Sequence, residues 1–206
     1  MMGICYVVGA GDFYGGFTPS VDDLVIAADG GYDTLRSLGI RCDLLIGDMD
    51  SRGACSAEIE TLTFPVEKDE TDMHLAYLEG VRRGYSTFRL YGGVGGREDH
   101  TFANYSLLLM GKLAGHSLTL VSCDCDVTVI KNETVTISGA VGDGVSVFAF
   151  GGEARGVTLR GLKYTAEDIS LTPEFALGVS NELADTECSI CVADGALLVM
   201  HRRALK

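Results

Sequence analysis

The chain has 206 residues, 47% of them apolar and 22% charged, the balance of a protein that folds around one large core or two smaller ones. A formal net charge of −13 argues against nucleic acid or an anionic membrane surface as a partner, because both are held by basic patches. No apolar run is long enough to cross a bilayer, and the N-terminal MMGICYVVGAGDFYGG carries no basic leader, so a cytoplasmic protein is expected.

In chain order, the runs 4–10, 23–29, 43–48, 61–66, 87–93 and 117–122 predict strands, several of them apolar nearly throughout. Such runs suit a parallel sheet covered by helices on both faces. Between them, 32–39, 69–84 and 99–115 carry apolar residues at three- and four-residue spacing and end at Gly39, Gly84 and Gly115, a helix pattern with its stop signal. The alternation predicts an α/β domain over residues 1–122 with an open, doubly wound parallel sheet. From about residue 124 the pattern changes. VTVIKN, TVTISG, GVSVFAFGG, GVTLRGL, ECSICV and GALLVMHR are short runs separated by turn residues, which predicts an all-β sandwich or barrel over 123–206.

Seven cysteines are scattered along the chain and read as reduced thiols. Cys123-x-Cys125 with Cys188-x-x-Cys191 has the look of a zinc ligand set. Both pairs fall in or beside strand runs, where residues three apart point to opposite faces, so convergence on one ion is not expected.

Three acidic clusters stand where predicted strands give way to helices, the edge at which open α/β sheets bind ligands. The first is ADGG, with Asp29 ahead of two glycines. The second is GDMDS, where Asp48 and Asp50 are two apart after an apolar strand and can share a hard cation if the chain stays extended. The third is EKDETD, where Asp69 or Thr71 can cap a helix and Asp72 lies in its first turn, favoured there by the helix dipole. Capping accounts for one or two of these carboxylates, but it leaves Lys68 among them without a reason. Lys68 suits a phosphate. So many carboxylates at one edge repel each other unless a cation gathers them.

LYGGVGGREDHTFAN (90–104) follows the fifth predicted strand. Its glycines, Gly95 and Gly96 included, let backbone amides approach phosphate oxygens, and Arg97 offers a planar two-pronged donor. Asp99 can cap the helix that follows, and His100 reads equally as a ligand, a proton donor or a satisfied polar residue. In the β half, Ser180 and Asn181 in GVSNEL form a polar turn.

Taken together, ADGG, GDMDS, KDETD, GGVGGREDH and SNE, in that order, resemble the thiamine pyrophosphokinase family over nearly the whole chain. The resemblance implies an α/β domain that binds ATP and metal, a C-terminal β-sandwich that helps bind thiamine, and a homodimer. It implies transfer of diphosphate from ATP to the hydroxyl of thiamine, releasing AMP. It also implies that Asp48, Asp50 and Asp72 hold magnesium, with Asp29 and Asp69 around them. On the same basis Lys68, Thr71, Gly95, Gly96, Arg97, Asp99 and His100 fall on the nucleotide side, and Ser180 and Asn181 at the thiamine end. Met49 replaces the Phe common in GDFDS, and the chain has no Trp, so stacking on thiamine has to use Tyr, Phe or another group. Two rival readings use the same residues: a magnesium-dependent phosphohydrolase, and a nucleotide or thiamine sensor without turnover.

Overall fold

A computed structural model describes residues 3–47, 59–64 and 69–202. The chain divides into two compact units, Met1–Leu107 with Gly115–Cys123, and Leu108–Ala114 with Asp124–Lys206.

The first unit contains strands β1 (Cys5–Val8), β2 (Leu24–Ala28), β3 (Leu44–Gly47), β4 (Glu60–Thr63), β5 (Thr87–Tyr91) and β6 (Ser117–Val121). Helices α1 (Gly31–Leu38) and α2 (Asp72–Arg82) lie between them, and α3 (Glu98–Leu113) begins after β5. The strands run parallel in the order β6-β5-β1-β2-β3-β4. Every residue of β1, β2 and β3 is buried, which explains why these segments are apolar throughout rather than alternating. On one face Leu35 of α1 packs with Tyr6, Val8, Val25, Ala27 and Leu45. On the other, α2 comes so close that a Cβ on Gly80 would lie 2.6 Å from the Phe88 ring and 2.9 Å from Cys5 Sγ. Alternate residues of a strand point to opposite faces, so Cys5 and Tyr6 place α2 and α1 on opposite sides. The sheet is doubly wound, as expected.

Strand order reverses at β1. The chain adds β2, β3 and β4 on one side, then returns to place β5 and β6 on the other. The loops after β1 and β5 therefore leave the sheet in diverging directions, and a crevice opens outside their carboxyl ends.

At the far end of α2, Glu79 is 8% exposed, and Arg82 and Arg83 reach it at 2.6 and 2.7 Å. Hydrogen bonds from Arg82 are the largest cause holding its carboxyl at about 2, below its ordinary 4.5, with Arg83 assisting against the cost of burial. A depressed carboxyl contributes stability that is fully present above about pH 4.5 and is lost as the pH falls toward 2. Glu79→Gln should destabilise the protein by about 2 kcal/mol at pH 7, since Arg82 is largely in water and the pair is partly screened. Urea titrations across that pH window should show a flatter acid dependence in the variant, and parallel curves would remove Glu79 from the account.

The second unit is all β. Strands β7 (Cys125–Lys131), β9 (Gly144–Ala149), β12 (Asn181–Glu182) and β14 (Ala196–Arg202) form an antiparallel set in the order β12-β9-β14-β7. Strands β8 (Thr134–Ser138), β10 (Ala154–Arg160), β11 (Ala166–Leu171) and β13 (Glu187–Cys191) form another in the order β11-β10-β13-β8. Val147, Leu197 and Val199 from the first set share one apolar core with Val157, Leu159 and Ile190 from the second. That is a β-sandwich.

Two strands are absent from the sequence reading. β11, AEDISL, is polar, sits at a sheet edge, pairs through register shifts and carries Asp168 at φ 53°, so neither apolar content nor strict alternation marks it. β12 is only two residues long. Cys188 and Cys191 both lie on β13 and are free thiols, and among the described residues no group of three or more His, Cys, Asp or Glu side chains is placed to hold a metal.

Candidate active site

The crevice at the β1/β5 switch contains a cavity of about 320 Å³, within the range of small-molecule sites. Its floor is backbone. Gly9 and Gly11 follow β1, and Gly92, Gly93 and Val94 follow β5. The two loops are tied together by Gly9 N–H to Tyr91 O at 2.8 Å, Gly11 N–H to Gly92 O at 2.9 Å and Asp12 N–H to Val94 O at 2.8 Å. Gly95 must be glycine for two reasons. Its φ is 79°, and a Cβ there would lie 2.1 Å from the Asp12 carboxylate, which also accepts a hydrogen bond from Tyr14 Oη at 2.9 Å.

Two of the acidic clusters bring a carboxylate to this cavity. Asp29 follows β2 with φ 50°, a left-handed conformation costly for a residue with a side chain, and its N–H donates to Ile46 O of β3 at 2.7 Å. Gly30 rather than Asp29 occupies the N-cap of α1. Thr71 caps α2, accepting from His74 N–H at 3.2 Å, and Asp72 is that helix's first residue. Thr71 and Asp72 both line the cavity. Asp69 is exposed and does not. Asp48, Asp50 and Lys68 lie outside the described residues.

The third group comes from α3 and the turn before it. Arg97, His100, Thr101 and Asn104 line the cavity at spacings of three and four residues, as one helix face requires. Arg97 is forked onto Asp99, Nε to Oδ1 at 3.1 Å and a terminal nitrogen to Oδ2 at 2.5 Å. Those bonds are the main cause holding the Asp99 carboxyl below its ordinary value, with His100 N–H adding a contact at 3.0 Å. Both side chains are largely in water, so the pair leaves Arg97 available to an incoming anion. Gly96 lines the same cavity. Thr101, Met73 and Asn104 were given no role in the sequence reading. The signal that could have found Thr101 and Asn104 is their helical spacing from Arg97.

In the second unit, Ser180 is exposed with φ 59°, and its N–H donates to Ser146 Oγ at 3.0 Å. Asn181 is 6% exposed. Its carboxamide accepts from Tyr164 N–H at 2.9 Å, donates to Tyr164 O at 2.7 Å and accepts from Glu182 N–H at 3.0 Å. Asn181 thus clamps the backbone of Tyr164, a residue that stays 63% exposed.

The description "Thiamin pyrophosphokinase, catalytic domain" matches residues 20–121, and "Thiamin pyrophosphokinase, vitamin B1 binding domain" matches 128–197. The chain is 27% identical over 185 residues to thiamine pyrophosphokinase of Bacillus subtilis, covering 86% of each sequence. A crystal structure of the thiamin pyrophosphokinase from Geobacillus thermodenitrificans superposes with a TM-score of 0.83 at 28% identity, covering 98% of each chain. The Bacillus subtilis crystal structure reaches a TM-score of 0.89 at 24% identity over 98% of this chain and all of that one, which supports the fold.

Proposed function

The chain belongs to the thiamin pyrophosphokinase family, and from that premise we infer its reaction: diphosphate passes from ATP to the hydroxyl of thiamine, and AMP is released. The observation that carries this reading is one cavity at the sheet's switch point lined by glycine backbone, by Arg97 and by the carboxylates Asp29 and Asp72. Glycine amides and a guanidinium suit phosphate oxygens. Carboxylates alone would repel them, and they are the hard oxygen donors that magnesium prefers. We therefore assign Asp72, with Asp48 and Asp50 from the sequence reading, as the groups that would hold magnesium, and Asp29 as their neighbour. When bound, the ion supplies positive charge that neutralises and polarises the phosphates.

Arg97 leaves Asp99 for the phosphates, and the loop around Gly95 and Gly96 offers backbone donors to charge that develops during transfer. The thiamine oxygen forms a bond to the β-phosphorus while the bond from that phosphorus to the α–β bridging oxygen breaks, and AMP departs with the electron pair. The hydroxyl proton passes to a carboxylate; of Asp99 and Asp69, Asp99 is bonded to Arg97 of the cavity lining, whereas Asp69 lies outside that lining. Asp99 becomes the stronger base once Arg97 has turned away, because the hydrogen bonds that depress its carboxyl are then gone. On the thiamine side the ring of the exposed Tyr164, fixed by Asn181 beside Ser180, is the group we assign to stack on the vitamin. A homodimer, which rests on the family resemblance, and a place in the cytoplasm, which rests on the sequence reading, complete the proposal.

The test is to incubate the protein with ATP, thiamine and magnesium and separate the products. AMP and thiamine diphosphate should appear one for one and only with metal. ADP with thiamine monophosphate, or ATP loss that ignores thiamine, would overturn the reading.

A further inference from the structure

The α3 face in the cavity is graded. Arg97 at its beginning is exposed and charged, and Asn104, seven residues on, is 5% exposed and neutral. Asn104 Nδ2 donates to Gly93 O at 2.8 Å, which fixes the orientation of the amide and pins the glycine loop to the helix. That leaves Oδ1. Among the described residues nothing donates to it, yet it is not sealed inside the protein, since His201 Nε2 is the described buried side-chain polar atom that lacks a partner. Oδ1 therefore has access to solvent, and it belongs to a residue that lines the cavity. An amide oxygen at a cavity wall is met by water until a ligand displaces the water and supplies a donor in its place.

We propose that Asn104 Oδ1 accepts a hydrogen bond from an uncharged donor on the nucleoside part of ATP, the exocyclic amine of the base or a ribose hydroxyl, and so selects the nucleotide. The proposal rests on the diphosphate-transfer reading above. An acceptor cannot serve phosphate oxygens, which are acceptors themselves. Seven helical residues span about 10 Å along the axis, comparable to the separation between the nucleoside end of ATP and its outer phosphates. Ala10, Ala28 and Met73 line the same cavity and suit the faces of a base. Thiamine also carries an amine, but the vitamin B1 binding match lies at 128–197, whereas every residue lining this cavity falls between Gly9 and Asn104.

Calorimetric titration without thiamine tests this, with ATP, inosine triphosphate, 2′-deoxyATP and 3′-deoxyATP as ligands for the natural protein and for Asn104→Ala. One analogue should bind the natural protein about tenfold more weakly than ATP, equivalent to about 1.4 kcal/mol. Inosine triphosphate in that place identifies the amine, and a deoxy analogue identifies the hydroxyl. Asn104→Ala should bind ATP about tenfold more weakly and no longer distinguish that analogue from ATP. A purely structural Asn104, acting through Gly93, would weaken all four ligands alike. Equal binding of all four by the natural protein, penalties that multiply in the variant, or ATP affinity unchanged in the variant would each overturn the proposal. The comparison in the natural protein stands even if the variant does not fold. The expected pattern without thiamine diphosphate formation would sink the reaction and leave the nucleotide site standing.

Discussion

Replacing Asp72 with Asn should lower kcat by about 10²- to 10³-fold while moving the melting temperature by only a few degrees. Asp72 has two roles to lose. As the first residue of α2 it complements the helix dipole, an effect of about 0.3–1 kcal/mol. As a carboxylate lining the cavity it brings negative charge to the place assigned to magnesium and the phosphates. Asn keeps the shape and one oxygen but removes the charge, so the chemical loss should far exceed the structural one. Steady-state turnover measured against magnesium concentration separates the two. The variant should need more metal as well as turn over more slowly. Turnover near the natural rate with unchanged metal dependence would remove Asp72 from the site, and the same substitution at Asp48 should have an effect of the same order.

Gly31→Ala should be the costliest small change in the first unit, destabilising it by about 3 kcal/mol or more. Gly31 opens α1 directly beneath the end of β1, and a Cβ there would lie 1.8 Å from Val8 O and 2.5 Å from Val8 C. Those are backbone atoms of a fully buried strand, so no rotamer change relieves the clash and either the helix or the strand must move. For a chain of this length the melting temperature should fall by roughly 6–12 °C. Gly39→Ala makes a useful contrast. Nothing lies within 4 Å of its Cβ position, and its φ of 65° leaves only backbone strain to act. Equal losses at both positions would mean that close packing of α1 on β1 is not what makes Gly31 necessary.

The fold was largely legible in the sequence because burial imposes patterns. β1, β2 and β3 read as unbroken apolar runs because both faces are covered, and α1 ends where Gly39 takes a left-handed conformation. β11 escaped because an edge strand with bulges and one wet face needs neither apolar content nor alternation. Within the site, charged and glycine residues announced themselves by chemistry, and the structure gathers Asp29, Asp72, Arg97 and His100 on one cavity. Asn104 did not, since a neutral amide in a helix looks the same whether it faces solvent or a ligand. Its meaning depends on Gly93 lying beside it, and that contact is tertiary. Asn181 shows the converse. The motif marks the residue, and only the geometry reveals that its carboxamide grips the Tyr164 backbone.

The central place of β1 also bears on how the chain is made. β1 pairs with β2 on one edge and with β5 on the other. β2 is complete at Ala28, but β5 ends only at Tyr91. At a synthesis rate of roughly 5–20 residues per second, the second edge of an apolar strand stays uncovered for several seconds after the first has closed. An open edge of that kind invites pairing with another nascent chain. The same reversal of strand order that opens the crevice for a ligand thus creates an interval of aggregation risk on the ribosome.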